Sequence, residues 1–267
     1  MAKKDSNQSL RLVFQLMGLA FSVGFLIMVI LKGEQTIHEI CPYAIICFGL
    51  DANSFLNPAS VVMAEAIIIG LVILVFSMFW GRKFCGWLCP LGTLQEGIYS
   101  LRSKKYRCKH RNPFYVDRKL AWLKYAVLGI TALMVVLGVG YLYMRLCPFF
   151  ALSQLFFLAI PGLVVMLIII VKSFFGSREW CRFLCPYAAL MNIFQWLGKL
   201  MGIRRVKIKR NLERCTDCGV CVLFCPMNIN IQESEYVHDP NCIHCGLCAS
   251  HCPKPGTYSE ERECPNS

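Results

Sequence analysis

RKFCGWLCPLGTLQEGIYSL (residues 82–101) is written a second time, in altered form, as REWCRFLCPYAALMNIFQWL (residues 178–197). At an offset of 96 residues Arg82 falls on Arg178, Cys85 and Cys89 on Cys181 and Cys185, and Pro90 on Pro186. Leu88, Leu94 and Leu101 fall on Leu184, Leu190 and Leu197, and Ile98 on Phe194. Upstream, CPYA (41–44) is matched by CPFF (147–150). The chain therefore carries one unit twice, and each copy of the Cys-x-x-x-Cys-Pro motif stands where an apolar run meets a basic stretch.

Four apolar runs frame these motifs. Leu12–Leu31, Tyr125–Met144 and Leu152–Val171 hold no charge, and Val61–Trp80 holds only Glu65. Each has 20 residues, and a bilayer core takes about 20 apolar residues per helix. Pro161 is expected to bend the fourth. The chain is 56% hydrophobic and 16% charged, against about 25% charged for a soluble domain, which excludes an ordinary soluble protein. The expected fold is a membrane all-α domain over 1–203. It consists of four transmembrane helices as two parallel helix-pair repeats, related by an axis along the membrane normal. A small α+β domain over 204–267 follows.

Charge sets the expected orientation. Residues 1–11, 81–124 and 172–214 sum to +2, +9 and +8, whereas 32–60 and 145–154 sum to −2 and +1. Basic loops stay cytoplasmic, so both termini are placed inside a bacterial or archaeal cytoplasmic membrane, with multiple passes. The net charge of +12 is then accounted for by topology, and no nucleic-acid partner is expected. After each motif, Pro90 and Pro186 suit the first turn of a helix. Apolar residues at 91, 94, 98 and 101, and at 187, 190, 194 and 197, predict amphipathic helices along the inner interface.

The last 53 residues change character, with seven acidic and two basic side chains and no apolar run. CTDCGVCVLFCP (215–226) and CIHCGLCASHCP (242–253) both read C-x2-C-x2-C-x3-C-P, the bacterial ferredoxin run, in which the fourth Cys ligates the other cluster. One [4Fe–4S] cluster is thus expected on Cys215, Cys218, Cys221 and Cys252, and a second on Cys242, Cys245, Cys248 and Cys225. Three thiolates on a tight loop cap one face of a cube, and Gly219 and Gly246 let the backbone turn beside it. Zinc is the competing ion, but zinc motifs rarely repeat four cysteines in this pattern.

The duplicated motif offers a further ligand set. Parallel duplication brings Cys85, Cys89, Cys181 and Cys185 to one depth near the axis, where they form a candidate shared iron–sulfur centre. A Cys-x-x-x-Cys spacing puts both thiols on one side of a helical turn. Arg82, Lys83, Arg178 and Arg182 are expected to offset the charge of such a centre. The alternatives are reduced thiols or two disulfides that shape the helix ends. On the outer face Cys41 and Cys147 occupy matching places. They are read as a disulfide or as a metal site with Cys47 as an extra ligand. Glu65 is a candidate proton acceptor at a quinol site, by the rule that an intramembrane carboxylate is functional until shown structural. His38 and Asp51 are weaker candidates. Cys108 and Cys264 fit no motif.

Four spans, two Cys-x-x-x-Cys-Pro motifs and a C-terminal two-cluster run resemble the NapH/MauN-type membrane ferredoxin proteins. That wider group includes the membrane half of NosR and the FixG/CcoG-type copper reductases. The resemblance covers nearly the whole chain. It implies a redox component between the quinone/quinol pool and a partner of ferredoxin or cytochrome type, such as a subunit of a quinol dehydrogenase complex embedded in membrane lipid. A second expectation is a maturation factor that supplies electrons for copper reduction and cofactor assembly. A third, an inert anchor for a ferredoxin, leaves the duplicated cysteines without a use.

Overall fold

A computed structural model describes residues 2–32, 43–47, 60–103, 113–139, 142–143, 146–147 and 160–262. Cys41, Cys108, Cys264, His38 and Asp51 lie outside the described residues, and so do the side chains of Cys47 and Glu65.

The first apolar run forms the core of α1 (Ala2–Lys32), 31 residues long. A short helix, α2 (Ala44–Cys47), precedes α3 (Ser60–Trp80), whose 21 residues, about 31 Å at 1.5 Å per residue, coincide with the second run. Gly81 (φ 62) ends α3 in the left-handed conformation that glycine adopts without strain. The first motif follows as α4 (Lys83–Trp87) and α5 (Pro90–Ser100). The second unit begins with α6 (Phe114–Leu120) and α7 (Leu123–Val136), continues with α8 (Ile160–Ser173) and a π-helical turn (Trp180–Leu184), and ends with α9 (Pro186–Leu200). Among the described residues, one helical segment, Phe114–Val136, is long and apolar enough to cross a membrane, with a mean hydropathy of 1.6. Ile67–Trp80 and Pro161–Ser173 are shorter apolar helices.

The third run is displaced from its expected bounds. Its helix starts before Tyr125 and stops at Val136, because the chain turns through Gly138 (φ 74) rather than continuing to Met144. In the fourth run, residues 152–159 lie outside the described residues.

The two units pack by exchange. Helix α5 lies on α1 of its own unit and on α8 of the other, and α9 lies on α7 of its own unit and on α3 of the other. This double grip keeps the start of the expected amphipathic stripe, with Leu91 and Tyr187 buried, and corrects its far end. The buried residues of α5 are Leu91, Gly92 and Gln95, and Leu101 is 78% exposed. Helix α9 likewise buries Ala188, Met191, Asn192 and Gln195 and leaves Leu197 exposed. Two neighbouring helices select the face that carries small and polar residues, because those side chains reach the cysteine loops. Gln95 Oε1, for example, accepts the Trp180 N–H at 3.2 Å.

The tail closes on itself through β1 (Val206–Arg210) and β2 (Tyr258–Arg262), antiparallel with Val206 opposite Arg262 and Arg210 opposite Tyr258. Between them the two cysteine runs form near-identical loops that lead into α10 (Val220–Leu223) and α11 (Leu247–Ser250). Gly219 (φ 72) and Gly246 (φ 70) turn as the spacing predicts, and the preceding Asp217 (φ 48) and His244 (φ 49) are left-handed too. Ile208, Met227, Ile229, Ile231, Val237 and Ile243 bury the tail's apolar surface in the same cluster as Cys221, Cys245 and Cys248.

Candidate metal centre

Proline decides the local form of each duplicated motif. Its ring drives the preceding residue out of the helical region, so Cys89 (φ −66, ψ 115) and Cys185 (φ −69, ψ 111) are extended and stand at the N-caps of α5 and α9. The expectation that both thiols of a pair share one helical turn is therefore corrected. The first Cys belongs to α4 or to the π-helical turn, and the second steps out to head the next helix. There the amide of Gly92 favours the Cys89 thiolate and that of Ala188 favours the Cys185 thiolate. Neither reaches the geometry of a full capping bond.

The two motifs are tied to each other in a reciprocal pattern. Arg82 Nη2 donates to the Cys181 carbonyl at 3.0 Å, and Arg178 Nη1 donates to the Cys85 carbonyl at 2.5 Å. Each arginine lies three residues before the first Cys of its own motif and is 0% exposed. The offset of 96 also governs the contacts to sulfur. Gln95 Nε2 approaches Cys181 Sγ at 3.9 Å, and Cys85 Sγ approaches Sδ of Met191, the counterpart of Gln95, at 3.6 Å. All four thiols lie within electrostatic reach of one another: Cys89 feels Cys181 and Cys85, and Cys185 feels Cys181, Cys85 and Cys89.

This gathering is unfavourable for thiolates by themselves. Burial, then the neighbouring Cys181 and Cys85, push the Cys89 thiol up to about 12. Cys185 is raised for the same reasons, and Cys181 is raised by burial against the opposing pull of Arg178 and Arg82. Four thiols, Cys85 and Cys181 buried and Cys89 and Cys185 half-buried, with two arginines nearby have the donor chemistry of an iron–sulfur centre, whose iron would take up the charge that burial penalises. Among the described residues no three His, Cys, Asp or Glu side chains converge on a single ion. A cube, in which each iron takes its own thiolate, needs no such convergence.

Of the four cations expected to flank the site, only Arg82 and Arg178 face it. Lys83 Nζ pairs with Glu260 of β2 at 3.0 Å, and Arg182 pairs with Asp117 of α6. Glu96 is a residue that sequence reasoning missed. It accepts Arg178 at 2.5 Å and Arg11 of α1 at 2.6 Å. Its place one helical turn past Gly92 was visible in the sequence, but its partners, Arg11 on α1 and Arg178 in the turn before the π-helical segment, are distant in the chain.

In the tail, Cys242, Cys245 and Cys248 interact with one another and with Cys225, the fourth Cys of the other run. Burial is the main cause that raises all three, Cys245 to about 11. Tyr258 lies within electrostatic reach of Cys221, Cys248 and Cys215, and Arg210 Nη1 holds Cys215 Sγ at 3.5 Å and Asp217 Oδ1 at 2.6 Å. Cys218 is exposed. Cys147 is buried, and the ring centroid of Tyr43 lies 5.8 Å from that of Tyr143. Its expected counterpart Cys41 is outside the described residues.

A model described as a 4Fe-4S binding domain matches twice, at residues 62–109 and 158–204, and a 4Fe-4S dicluster domain matches residues 207–253. The two starts of the first match are again 96 residues apart. YccM of Escherichia coli strain K12, named for electron transport, is 32% identical over 68% of this chain and 51% of its own length. MJ0750 of Methanocaldococcus jannaschii is 32% identical over 70% of this chain and 76% of its own. The methylamine utilization ferredoxin-type protein MauN of Methylorubrum extorquens is 27% identical over 63% of this chain and 54% of its own. The chain thus spans about half the length of YccM and MauN. No solved structure matches.

Proposed function

Because this chain belongs to the NapH/MauN-type ferredoxin proteins, we propose that it is an integral membrane iron–sulfur protein carrying electrons between the quinol pool and a partner redox system. Cys215, Cys218, Cys221 and Cys252 hold one [4Fe–4S] cluster, Cys242, Cys245, Cys248 and Cys225 a second, and Cys85, Cys89, Cys181 and Cys185 a third centre shared by the two units. Bound there, these clusters supply one-electron steps over a wide range of potentials. The observation that supports the reading is the reciprocal bonding of the two motifs, beside which four thiols, Cys85 and Cys181 buried and Cys89 and Cys185 half-buried, lie within electrostatic reach of one another and of two buried arginines.

The chain's own residues do three things in this reading. Arg82 and Arg178 fix the two loops against each other and favour the thiolate form of Cys181. Gln95 and Met191 exclude water at the first Cys of each pair. The outward faces of α1, α3, α7 and α8, with Leu16, Phe21, Val72, Leu133, Leu167 and Ile168 exposed, supply the apolar surface that lipid would cover. Glu65 is retained as the proton acceptor for the quinol, and both termini are cytoplasmic.

The test is made on the whole chain, purified anaerobically from membranes after alkaline extraction. About twelve irons are expected, eight in the tail and four in the helical body. The body's share should disappear in both Cys85→Ser and Cys181→Ser. Reduced quinol added to liposomes should reduce the clusters. A chain that leaves the membrane at high pH, or that holds only the tail's iron, overturns the reading.

A further inference from the structure

The tail meets the helical body at several points, and the contacts that fall on the duplicated motifs lead to one group of its cysteines. Gly86, between Cys85 and Cys89, lies so close beneath Ile243, between Cys242 and Cys245, that a Cβ on it would stand 2.3 Å from the Ile243 carbonyl oxygen. The next residue, Trp87, donates its indole N–H to the His244 carbonyl at 3.0 Å. One face of α1 holds the two loops together: Gln8 Nε2 donates to the Cys245 carbonyl at 3.0 Å, and Arg11 Nε and Gln15 Nε2 donate to the Gly86 carbonyl at 3.2 and 3.1 Å.

The second motif reaches the same part of the tail. Arg82, which holds the Cys181 carbonyl with one nitrogen, donates with the other to Asn241 Oδ1 at 2.9 Å, and the buried Lys124 donates to that oxygen as well. Asn241 directly precedes Cys242. Arg182, next to Cys181, pairs with Asp117, and Asp117 accepts from Asn228, three residues after Cys225. Arg178 lies within electrostatic reach of both Cys181 and Cys245. Every one of these contacts leads to the group Cys225, Cys242, Cys245 and Cys248. The other group keeps Cys218 exposed, and its Cys215 is held from within the tail by Arg210.

From this asymmetry we infer that the segment Asn241–Cys245 is the electron-transfer junction of the protein. It fixes the order of transfer, with Cys225, Cys242, Cys245 and Cys248 next to the duplicated motifs and Cys215, Cys218, Cys221 and Cys252 at the outer end. The inference rests on the cluster assignments proposed above. Each transfer moves one electron between neighbouring groups, one oxidised as the other is reduced, with no proton or bond changing place. At the outer end a one-electron redox protein exchanges with the group that exposes Cys218. Gly86 and Trp87 are positioning residues. A close backbone crossing and an indole hydrogen bond hold the two loops at a fixed separation, and only glycine fits at the crossing.

Gly86→Ala tests this in the intact, cluster-loaded chain, with Trp87→Phe as the milder variant. Iron content is measured first. Unchanged iron with a rise of at least tenfold in amide exchange over 241–248, and no change over 214–222, is the expected result for Gly86→Ala. Electron arrival at both tail groups, followed by freeze-quench EPR after quinol addition, should slow in parallel. In Cys218→Ser the inner group should still be reduced at the normal rate, whereas Cys245→Ser should block reduction of the outer one. Unaltered exchange over 241–248 in Gly86→Ala, or normal reduction of the outer group in Cys245→Ser, overturns the junction. Absence of iron from the helical body in the unmodified chain would instead refute the cluster assignment, and the exchange measurement still reads the docking of the loops.

Discussion

Replacing Glu96 by Gln removes the one carboxylate that balances two buried guanidinium groups. Arg178 and Arg11 have side chains 0% and 4% exposed, and Glu96 itself is 22% exposed. Burial disfavours the charged Glu96 carboxylate, but Arg178 and then Arg11 outweigh it and hold its pKa below the usual carboxylate range. Breaking a buried ion pair from one side costs about 3–5 kcal/mol, because the partner is left charged in a low dielectric. For a chain of this size, that corresponds to a fall in Tm of about 6–20 °C. Glu96→Gln keeps the shape and one hydrogen-bond acceptor, so the loss is due to charge. The pH dependence follows from the depressed pKa. The stabilisation is complete above the unfolded carboxylate value of about 4.3 and is lost as pH falls through the lower folded value. Thermal unfolding of the purified chain in detergent should therefore show a full gap between wild type and Glu96→Gln from pH 6 to 8. The gap should close on acidification below about pH 4. A gap under about 1 kcal/mol at pH 7, in the range of an exposed pair, or one that widens in acid, would refute the account of the Arg11–Glu96–Arg178 triad.

Other outcomes follow from the same geometry. Gly92→Ala should destabilise, since its Cβ would stand 2.6 Å from Arg178 Nη1 and 3.1 Å from the Cys85 carbonyl oxygen; Gly97→Ala, with open space at that position in the same helix, should stabilise by about 0.5–1 kcal/mol, and thermal shift separates the two. Arg210→Met removes an N–H that approaches Cys215 Sγ, and should lower the reduction potential of the outer tail cluster in an EPR-monitored titration while leaving the inner one unchanged. Cys225→Ser should abolish the signal of the cluster that includes Cys242, Cys245 and Cys248, far from it in sequence, and loss of its own loop's cluster instead would show that ligation is not crossed. Glu233→Gln breaks an exposed pair with Arg118, 3.7 Å apart, and should change stability by less than about 1 kcal/mol.

The sequence by itself determined the parts that depend on spacing along the chain. The offset of 96 residues announced two equivalent units, and two C-x2-C-x2-C-x3-C-P runs announced paired loops with left-handed glycines at 219 and 246. Those features are local, since a few consecutive residues specify the turn. Proline at 90 and 186 belongs to the same class: each stands in the first turn of a helix and sets Cys89 or Cys185 at its head, so the Cys-x-x-x-Cys spacing does not give the shared helical turn it suggests. Tertiary structure alone decided which partner each residue meets. Helices α5 and α9 cross to the opposite unit, so their buried faces keep the expected Leu91 and Tyr187 but turn through Gly92, Gln95, Met191 and Gln195 and leave Leu101 and Leu197 exposed. Arg82 and Arg178 look alike in sequence, yet one is completed by a carboxylate from its neighbouring helix and the other by Asn241 of the tail. The duplication is symmetric in sequence, but the chain has only one tail to dock. The contacts of that tail with the duplicated motifs make the two units unequal and pick out which tail cysteines stand against them.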